Sequence, residues 1–175
     1  MKTWIFIILT SVGWLWFRSA SAQPIVKISN TEDSVAVKEQ ALQYLAYFDI
    51  TEDVYISIVF AKHMPLSLDG ITFCSNQMKP LSHRIIKVRI ASRLSERKRR
   101  LVLAHEIIHV KQYAKGELKV IDDKKVMWKG HTFHDHESGS TSQLSPWERE
   151  AYRNDNLVAK ISRKRAEPLL AESID

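Results

Sequence analysis

A pair of histidines four residues apart, with a glutamate directly after the first, lies in an apolar segment of the chain, His105-Glu106-Ile107-Ile108-His109. An α-helix turns about 100° and rises about 1.5 Å per residue, so on a helix both imidazoles share one face, about 6 Å apart along the axis. Both can therefore reach one metal ion. Glu106 falls on the flank of that face, close enough to hydrogen-bond a water at the metal but badly placed to ligate it. The spacing predicts a zinc site of the hydrolytic type.

The same five residues have a simpler interpretation, a buried helix whose histidines bond nearby carbonyl groups. The surrounding sequence argues against it. The pattern predicts a helix from about Leu94 or Ser95 to Lys115, ended by Gly116, and this helix is apolar on several faces: Leu101, Val102, Leu103, Ala104, Ile107, Ile108 and Val110. A helix of that kind is buried. Two buried histidines and a buried glutamate need partners, which favours a metal.

The N-terminus has the pattern of a secretory signal peptide. Lys2 precedes an apolar run from Trp4 to Phe17, and small residues stand at Ala20 and Ala22. We expect cleavage after Ala22 and a secreted or periplasmic mature protein. The alternative is an uncleaved membrane anchor, but the run is shorter than the roughly 20 residues that span a bilayer core. No later segment resembles a transmembrane helix, so stable membrane insertion after cleavage is not expected.

Residues 23–175 are long enough for one domain. With 45% hydrophobic and 26% charged residues, the chain can also supply that domain with a substantial core. Removing residues 1–22 lowers the formal charge from +6 to +4 (24 basic and 20 acidic residues). The basic cluster just before the histidine motif lacks the interleaved aromatic residues of a nucleic-acid site, and we interpret it as a solvated helix start. Cys74 is the only cysteine, so no disulfide forms within the chain.

Strands and helices alternate along the rest of the chain. The predicted strands are Ile25–Ile28, Val54–Phe60, Ile71–Cys74, Ile85–Ile90, Leu118–Ile121 and Val126–Phe133, and the predicted helices besides the motif helix are Ser34–Phe48 and Ser145 to about Glu167. The strand Ile85–Ile90 alternates from Ile86 onward, which indicates a half-exposed strand at a sheet edge. His63 and His83 fall in or beside loops and are interpreted as surface residues.

A hydrolytic zinc ion commonly has three protein ligands and an open fourth position, so one more ligand is needed. The extended motif with a further histidine is absent, because Gln112 and Lys115 occupy its positions. Glu148, on the last predicted helix, is the strongest candidate. Its alternatives are Glu150 and the histidines His131, His134 and His136. Glu148 also stands three residues after Ser145, with a proline between them, so it could instead cap its own helix.

The stretch Glu148-Arg149-Glu150-Ala151 resembles the downstream helix of the gluzincin zinc metallopeptidases, in which a glutamate followed by two residues and an alanine supplies the third ligand. The resemblance covers roughly Ile85 to Ala159 and implies His105, His109 and Glu148 as zinc ligands. In many of those families an Asp or Asn follows the alanine and supports a zinc-binding histidine, whereas Tyr152 stands here. Asp155, one turn further along, is the alternative supporting group.

The expected fold is α+β, a minimal zincin-like domain in which a small mixed sheet packs on the buried motif helix and a C-terminal helix carries the third ligand. The expected function is hydrolysis of peptide bonds, with Glu106 as the general base that takes a proton from water and passes it to the leaving amine. By the same resemblance, the strand Ile85–Ile90 lies along the cleft and pairs with an extended peptide or protein substrate. The alternatives are a non-catalytic exported domain stabilised by zinc, and a zinc hydrolase of a non-peptide amide.

Overall fold

Strands and helices alternate along residues 24–75, 84–134 and 145–171, the parts of the chain that the computed structural model describes, with side chains described as far as residue 161. Three helices and two small sheets make up these parts, which confirms the expected α+β class. The predicted signal peptide lies outside the described residues. The elements are β1 (Ile25–Ser29), α1 (Ser34–Tyr47), β2 (Tyr55–Ala61), β3 (Gly70–Cys74), β4 (Ile85–Ala91), α2 (Glu96–Ala114), β5 (Leu118–Asp122), β6 (Lys125–Trp128), β7 (His131–His134) and α3 (Pro146–Ala171).

The first sheet has the strand order β1-β2-β4-β3, with β1, β2 and β4 parallel and β3 antiparallel to β4. The predicted alternation of β4 is confirmed, because Ile86, Val88 and Ile90 are buried and the residues between them are exposed. Its predicted position at a sheet edge is wrong, since β4 lies between β2 and β3. Alternation of apolar and polar residues along a strand indicates only that one face of the sheet is exposed to solvent. Interior strands of such a sheet show the same alternation as edge strands. The edge is β3.

The helices cover one face of this sheet and form the core with it. Helix α2 packs against β3 and β4 and against both other helices. Its side chains Leu103, Ile107 and Ile108 are buried almost completely and share one hydrophobic core with the buried residues of β2 and β4. Strand β3 turns Gly70, Thr72 and Cys74 toward α2, as its alternating burial shows. Cys74 is therefore buried at the end of the strand that the sequence predicts.

Helix α2 begins and ends where its sequence predicts. Ser95 is the N-cap, and its Oγ accepts a hydrogen bond of 3.4 Å from the backbone N–H of Lys98. At the other end Gly116 has φ of +69°, a conformation that glycine adopts without steric cost and that commonly ends helices. The motif residues lie in the second half of the helix, away from both ends, so their positions follow regular helical geometry.

The second sheet, β5-β6-β7, corrects the prediction of one strand over Val126–Phe133. Two strands occupy that segment, joined by a tight turn at Lys129 and Gly130, which have φ of +46° and +84°. Positive φ at both central residues is the signature of a type I′ hairpin turn, for which a glycine in the second position is favourable. The turn folds β7 back and brings Phe133 against Trp147 of α3, with ring centroids 6.0 Å apart.

Helix α3 begins at Pro146, as predicted, but continues to Ala171 rather than ending before Pro168. A proline removes one backbone donor and disfavours the helical conformation of the preceding residue without making it inaccessible. The first half of α3 lies along α2, and its residues Ala151 and Val158 are completely buried. Within the described residues, no helix combines the length and apolar character needed to span a membrane.

Candidate metal centre

Helix α2 places the two motif histidines side by side. The Nε2 atoms of His105 and His109 lie 3.2 Å apart, and the ring planes are inclined at 75°. Their side chains are 14% and 8% exposed, so both nitrogens open onto a partly solvated position at the edge of the core. The one-face geometry expected from the spacing of four residues is what the helix produces.

Glu148 reaches the same position from the first turn of α3. Its Oε2 lies 3.3 Å from His105 Nε2, and its Oε1 lies 3.3 Å from His109 Nε2. Gln112 of α2 holds this turn by donating to the carbonyl oxygen of Trp147 at 3.0 Å, and Trp147 also packs on Phe133 of β7. The small side chain of Ala151, completely buried one turn later, allows α2 and α3 to approach closely. The carboxylate therefore spans both imidazoles.

The three side chains form a group that can hold a metal ion. A tetrahedral ion with bonds of about 2.0–2.1 Å has ligand atoms about 3.3 Å apart, because the edge of a tetrahedron is about 1.6 times the bond length. The 3.2 Å between the two Nε2 atoms matches that edge, and each of these nitrogens has one oxygen of the Glu148 carboxylate at 3.3 Å. Two imidazole nitrogens and a carboxylate oxygen also form the donor set of known catalytic zinc sites.

Gln112 determines which nitrogen of His109 faces this position. The Gln112 amide nitrogen donates to the carbonyl oxygen of Trp147 at 3.0 Å and to Glu150 Oε2 at 2.8 Å. Both partners only accept, so the orientation of the amide is fixed and its oxygen points at His109 Nδ1, 2.8 Å away. That nitrogen must carry a proton, which leaves Nε2 of the neutral ring with a free lone pair directed at the cluster.

His105 has a looser support. Its Nδ1 lies 3.8 Å from Asp155 Oδ2, and its ring packs on Tyr152 with centroids 4.6 Å apart. The other carboxylate oxygen of Asp155 is buried and has no hydrogen-bond partner among the described residues. Asp155 therefore faces His105, the arrangement that its position one turn beyond Tyr152 suggested, but at a distance longer than a hydrogen bond.

The charges within the cluster are strongly coupled. Burial acts to raise the pKa of Glu148, but the hydrogen bonds from His105 and His109 outweigh it and lower this pKa to about 2. Burial likewise acts to lower the pKa of His109, and the hydrogen bond and charge of Glu148 outweigh it and raise the pKa to about 9. The carboxylate thus attracts a cation at this position, and a proton on His109 and a metal ion compete for the same site.

Glu106 lies next to the cluster on the flank of α2 that faces β3 and is not one of the three potential ligands. It is only 4% exposed. The Thr72 hydroxyl, on β3, donates to Glu106 Oε2 at 2.7 Å and lies 3.3 Å from the Glu106 backbone oxygen. Burial is the largest influence on this carboxyl group and raises its pKa, although the charges of both histidines oppose the shift. The flank position expected for Glu106 is the one it has.

The other candidate ligands lie elsewhere. Glu150 accepts from Gln112 and forms ion pairs with Lys111 at 3.2 Å and Lys129 at 3.3 Å, so it belongs to the network behind His109. His131 and His134 lie on β7 and do not join the group of potential ligands. His136 and His83 lie outside the described residues, and His63 is exposed.

Three residues that matter to this geometry, Gly70, Thr72 and Gln112, were not predicted. Gln112 had a usable signal, because a polar residue three positions after His109 lies near it on the same buried helix. Gly70 and Thr72 had none, since their contact with Glu106 joins residues more than 30 positions apart. Comparison of the chain with models of known families, with curated proteins and with solved structures found no match.

Proposed function

We propose that this protein is an exported zinc metallopeptidase in which His105, His109 and Glu148 hold the ion and Glu106 is the general base. The observation that supports it best is the separation of Glu106 from the three ligands. A structural zinc site uses four protein ligands and has no reason to keep a further carboxylate beside it. Here three potential ligands converge on one position, and a second carboxylate, Glu106, lies next to them and is held by Thr72 of β3.

Two imidazoles and one carboxylate suit zinc better than calcium or magnesium, which prefer oxygen ligands. When bound, zinc supplies a Lewis acid that polarises a carbonyl group and lowers the pKa of water toward about 7. Glu106 accepts the proton as the water oxygen attacks the peptide carbon, and it passes that proton to the departing amine nitrogen. The Thr72 hydroxyl engages one carboxylate oxygen, and acceptor positions remain on the group for this proton.

A peptide substrate fits the free edge of β3. Within the described residues, no strand pairs with the outer edge of β3, and the contact of Thr72 with Glu106 puts this edge next to the site. An extended peptide that pairs with it would run past Glu106 and the histidines. The strand Ile85–Ile90 was expected in this role. Because it is interior, β3 takes its place in the proposal.

The proposal is tested by metal analysis and a broad cleavage assay on the purified mature protein. We expect about one zinc per chain, cleavage of sequences in a mixed peptide library detected by mass spectrometry, loss of cleavage on chelation and its return with added zinc. Stoichiometric zinc without cleavage of any peptide would support the non-catalytic alternative. Cleavage of simple amides but not of peptides would support a non-peptide hydrolase, and a protein that binds no zinc would contradict all three.

A further inference from the structure

The inner side of edge strand β3 is in direct contact with the carboxylate of Glu106. The strand turns Gly70 and Thr72 toward α2, while Ile71 and Phe73 point to the exposed face of the sheet. The pairing of Gly70 with Ile90 and of Thr72 with Val88 fixes the register of these two residues against the core. The part of β3 that lies over Glu106 is therefore set by the sheet, independently of the helix that carries Glu106.

Thr72 provides the hydrogen bond that this buried carboxylate needs. Its Oγ1 is 2.7 Å from Oε2 and 3.3 Å from the Glu106 backbone oxygen, so the hydroxyl lies between the side chain and the helix backbone. A bond of 2.7 Å from a hydroxyl to a carboxylate is in the short range of charge-assisted hydrogen bonds. It restricts the rotation of the carboxylate and engages one of its two oxygens.

Gly70 provides the space for the other oxygen. A Cβ atom at this position would overlap Glu106 Oε1 and would lie 2.8 Å from Glu106 Cδ and 2.7 Å from Val102 Cγ1. The φ angle of Gly70 is not in the left-handed region, so the backbone itself would accept alanine. The glycine is required for the close approach of β3 to the carboxylate and not for a turn.

We propose that Thr72 and Gly70 are positioning residues for the general base, so that β3 holds Glu106 in its reactive orientation while it offers its outer edge to the substrate. This inference rests on the proposed function and extends it. The Thr72 hydroxyl holds one carboxylate oxygen by a hydrogen bond, and the absence of a side chain at Gly70 leaves space for the other oxygen. A displacement of β3 would then disturb proton transfer without disturbing the metal ligands, which lie on the two helices.

The first test compares Thr72→Val with Thr72→Ser in the zinc-loaded mature protein. Valine keeps the shape of threonine and removes the hydroxyl, whereas serine keeps the hydroxyl. We expect Thr72→Val to lower kcat roughly 10- to 100-fold, with KM and zinc content unchanged, and Thr72→Ser to restore most of kcat. Thr51→Val, a threonine in the exposed connection between α1 and β2, is the matched control and should behave as wild type.

A second test separates positioning from a general structural role. In a Glu106→Gln background, Thr72→Val should have little further effect on kcat, because the group it positions is already inactive; a structural role would give additive losses. A binding readout uses acetohydroxamate, which chelates zinc and hydrogen-bonds a neighbouring carboxylate. Thr72→Val should weaken its binding several-fold, as Glu106→Gln should, and Thr51→Val should not.

Gly70→Ala tests the steric half of the proposal. The added methyl group must displace the carboxylate, so we expect kcat to fall about 100-fold with zinc still bound. Wild-type kcat and acetohydroxamate affinity in both Thr72→Val and Gly70→Ala would overturn the positioning roles while leaving the proposed function intact. Wild-type protein that binds no zinc overturns the proposed function, and the positioning roles with it. The wild-type protein therefore tests the proposed function and the two variants test the positioning roles, so the two failures are distinguished.

Discussion

Helix α2 presents two different polar environments, one toward α3 and one toward β3. On the α3 side, His105 and His109 meet Glu148 in a partly solvated cluster that lowers the pKa of Glu148 to about 2. On the β3 side, Glu106 is buried and bonded by the Thr72 hydroxyl, and burial raises its pKa against the opposing charges of His105 and His109. The same helix thus adjoins one carboxylate whose pKa is lowered by the histidines and carries another whose pKa is raised by burial. Substitutions on the two sides should therefore separate metal affinity from turnover.

The largest effect should come from the α3 side and should distinguish two glutamates two residues apart. Glu148→Gln removes the charge that lies between both histidines, so zinc affinity should fall by more than the roughly 10- to 100-fold that follows the loss of a residue supporting a ligand. Glu150→Gln should cost about 10-fold or less, because an amide oxygen can still accept from Gln112. Competition with a chelator of known affinity measures both. An equal or larger loss for Glu150→Gln would contradict the assignment of Glu148.

A substitution on the β3 side should lower turnover and leave zinc affinity nearly unchanged, the reverse of what is expected for Glu148→Gln. Glu106→Gln keeps the size of the side chain and an oxygen for the Thr72 hydroxyl, but it cannot take a proton from water. We expect zinc affinity within about threefold of wild type and kcat lower by about 100-fold or more. Metal analysis and peptide cleavage on the same preparation test this. If turnover remains at the wild-type level, Glu106 is not the general base.

The two sides of α2 also differ in how much of their geometry could be predicted from the sequence. The relation of His105, Glu106 and His109 follows from helical geometry alone, because the residues are close in sequence and the helix fixes their directions. Glu148 was a candidate because Glu148-Arg149-Glu150-Ala151 resembles the ligand helix of the gluzincins, and the fold separates it from the alternative ligand Glu150. Both point toward α2, one at the histidines and one at Gln112.

Long-range pairing could not be predicted in the same way. The order of the strands puts β3 rather than β4 at the edge, and the alternation within each strand carries no information about which neighbour it has. The support of Glu106 depends on that order, because Thr72 reaches it across 34 residues. The hairpin turn at Lys129 and Gly130 was missed for a local reason: the apolar residues on both sides of it read as one strand.

A smaller loss should follow from the network behind His109. Gln112→Leu removes the acceptor that holds the proton on Nδ1 and should lower zinc affinity by about 10- to 100-fold, the range found for such partners of metal-binding histidines. Gln40→Leu on α1, where the amide bonds Tyr44, is the control and should leave zinc affinity unchanged. If Gln112→Leu bound zinc with wild-type affinity, the hydrogen bond to Gln112 would not be needed to orient His109.

The smallest effect is expected on the other histidine, where the supporting group is more distant. Asp155 Oδ2 lies 3.8 Å from His105 Nδ1, compared with 2.8 Å between Gln112 and His109, and electrostatic support without a hydrogen bond is weaker. Asp155→Ala should therefore lower zinc affinity by no more than about 10-fold, less than Gln112→Leu in the same chelator competition. An equal or greater loss would mean that the two histidines are supported alike once zinc is bound, with Asp155 closing on His105 as the ion enters.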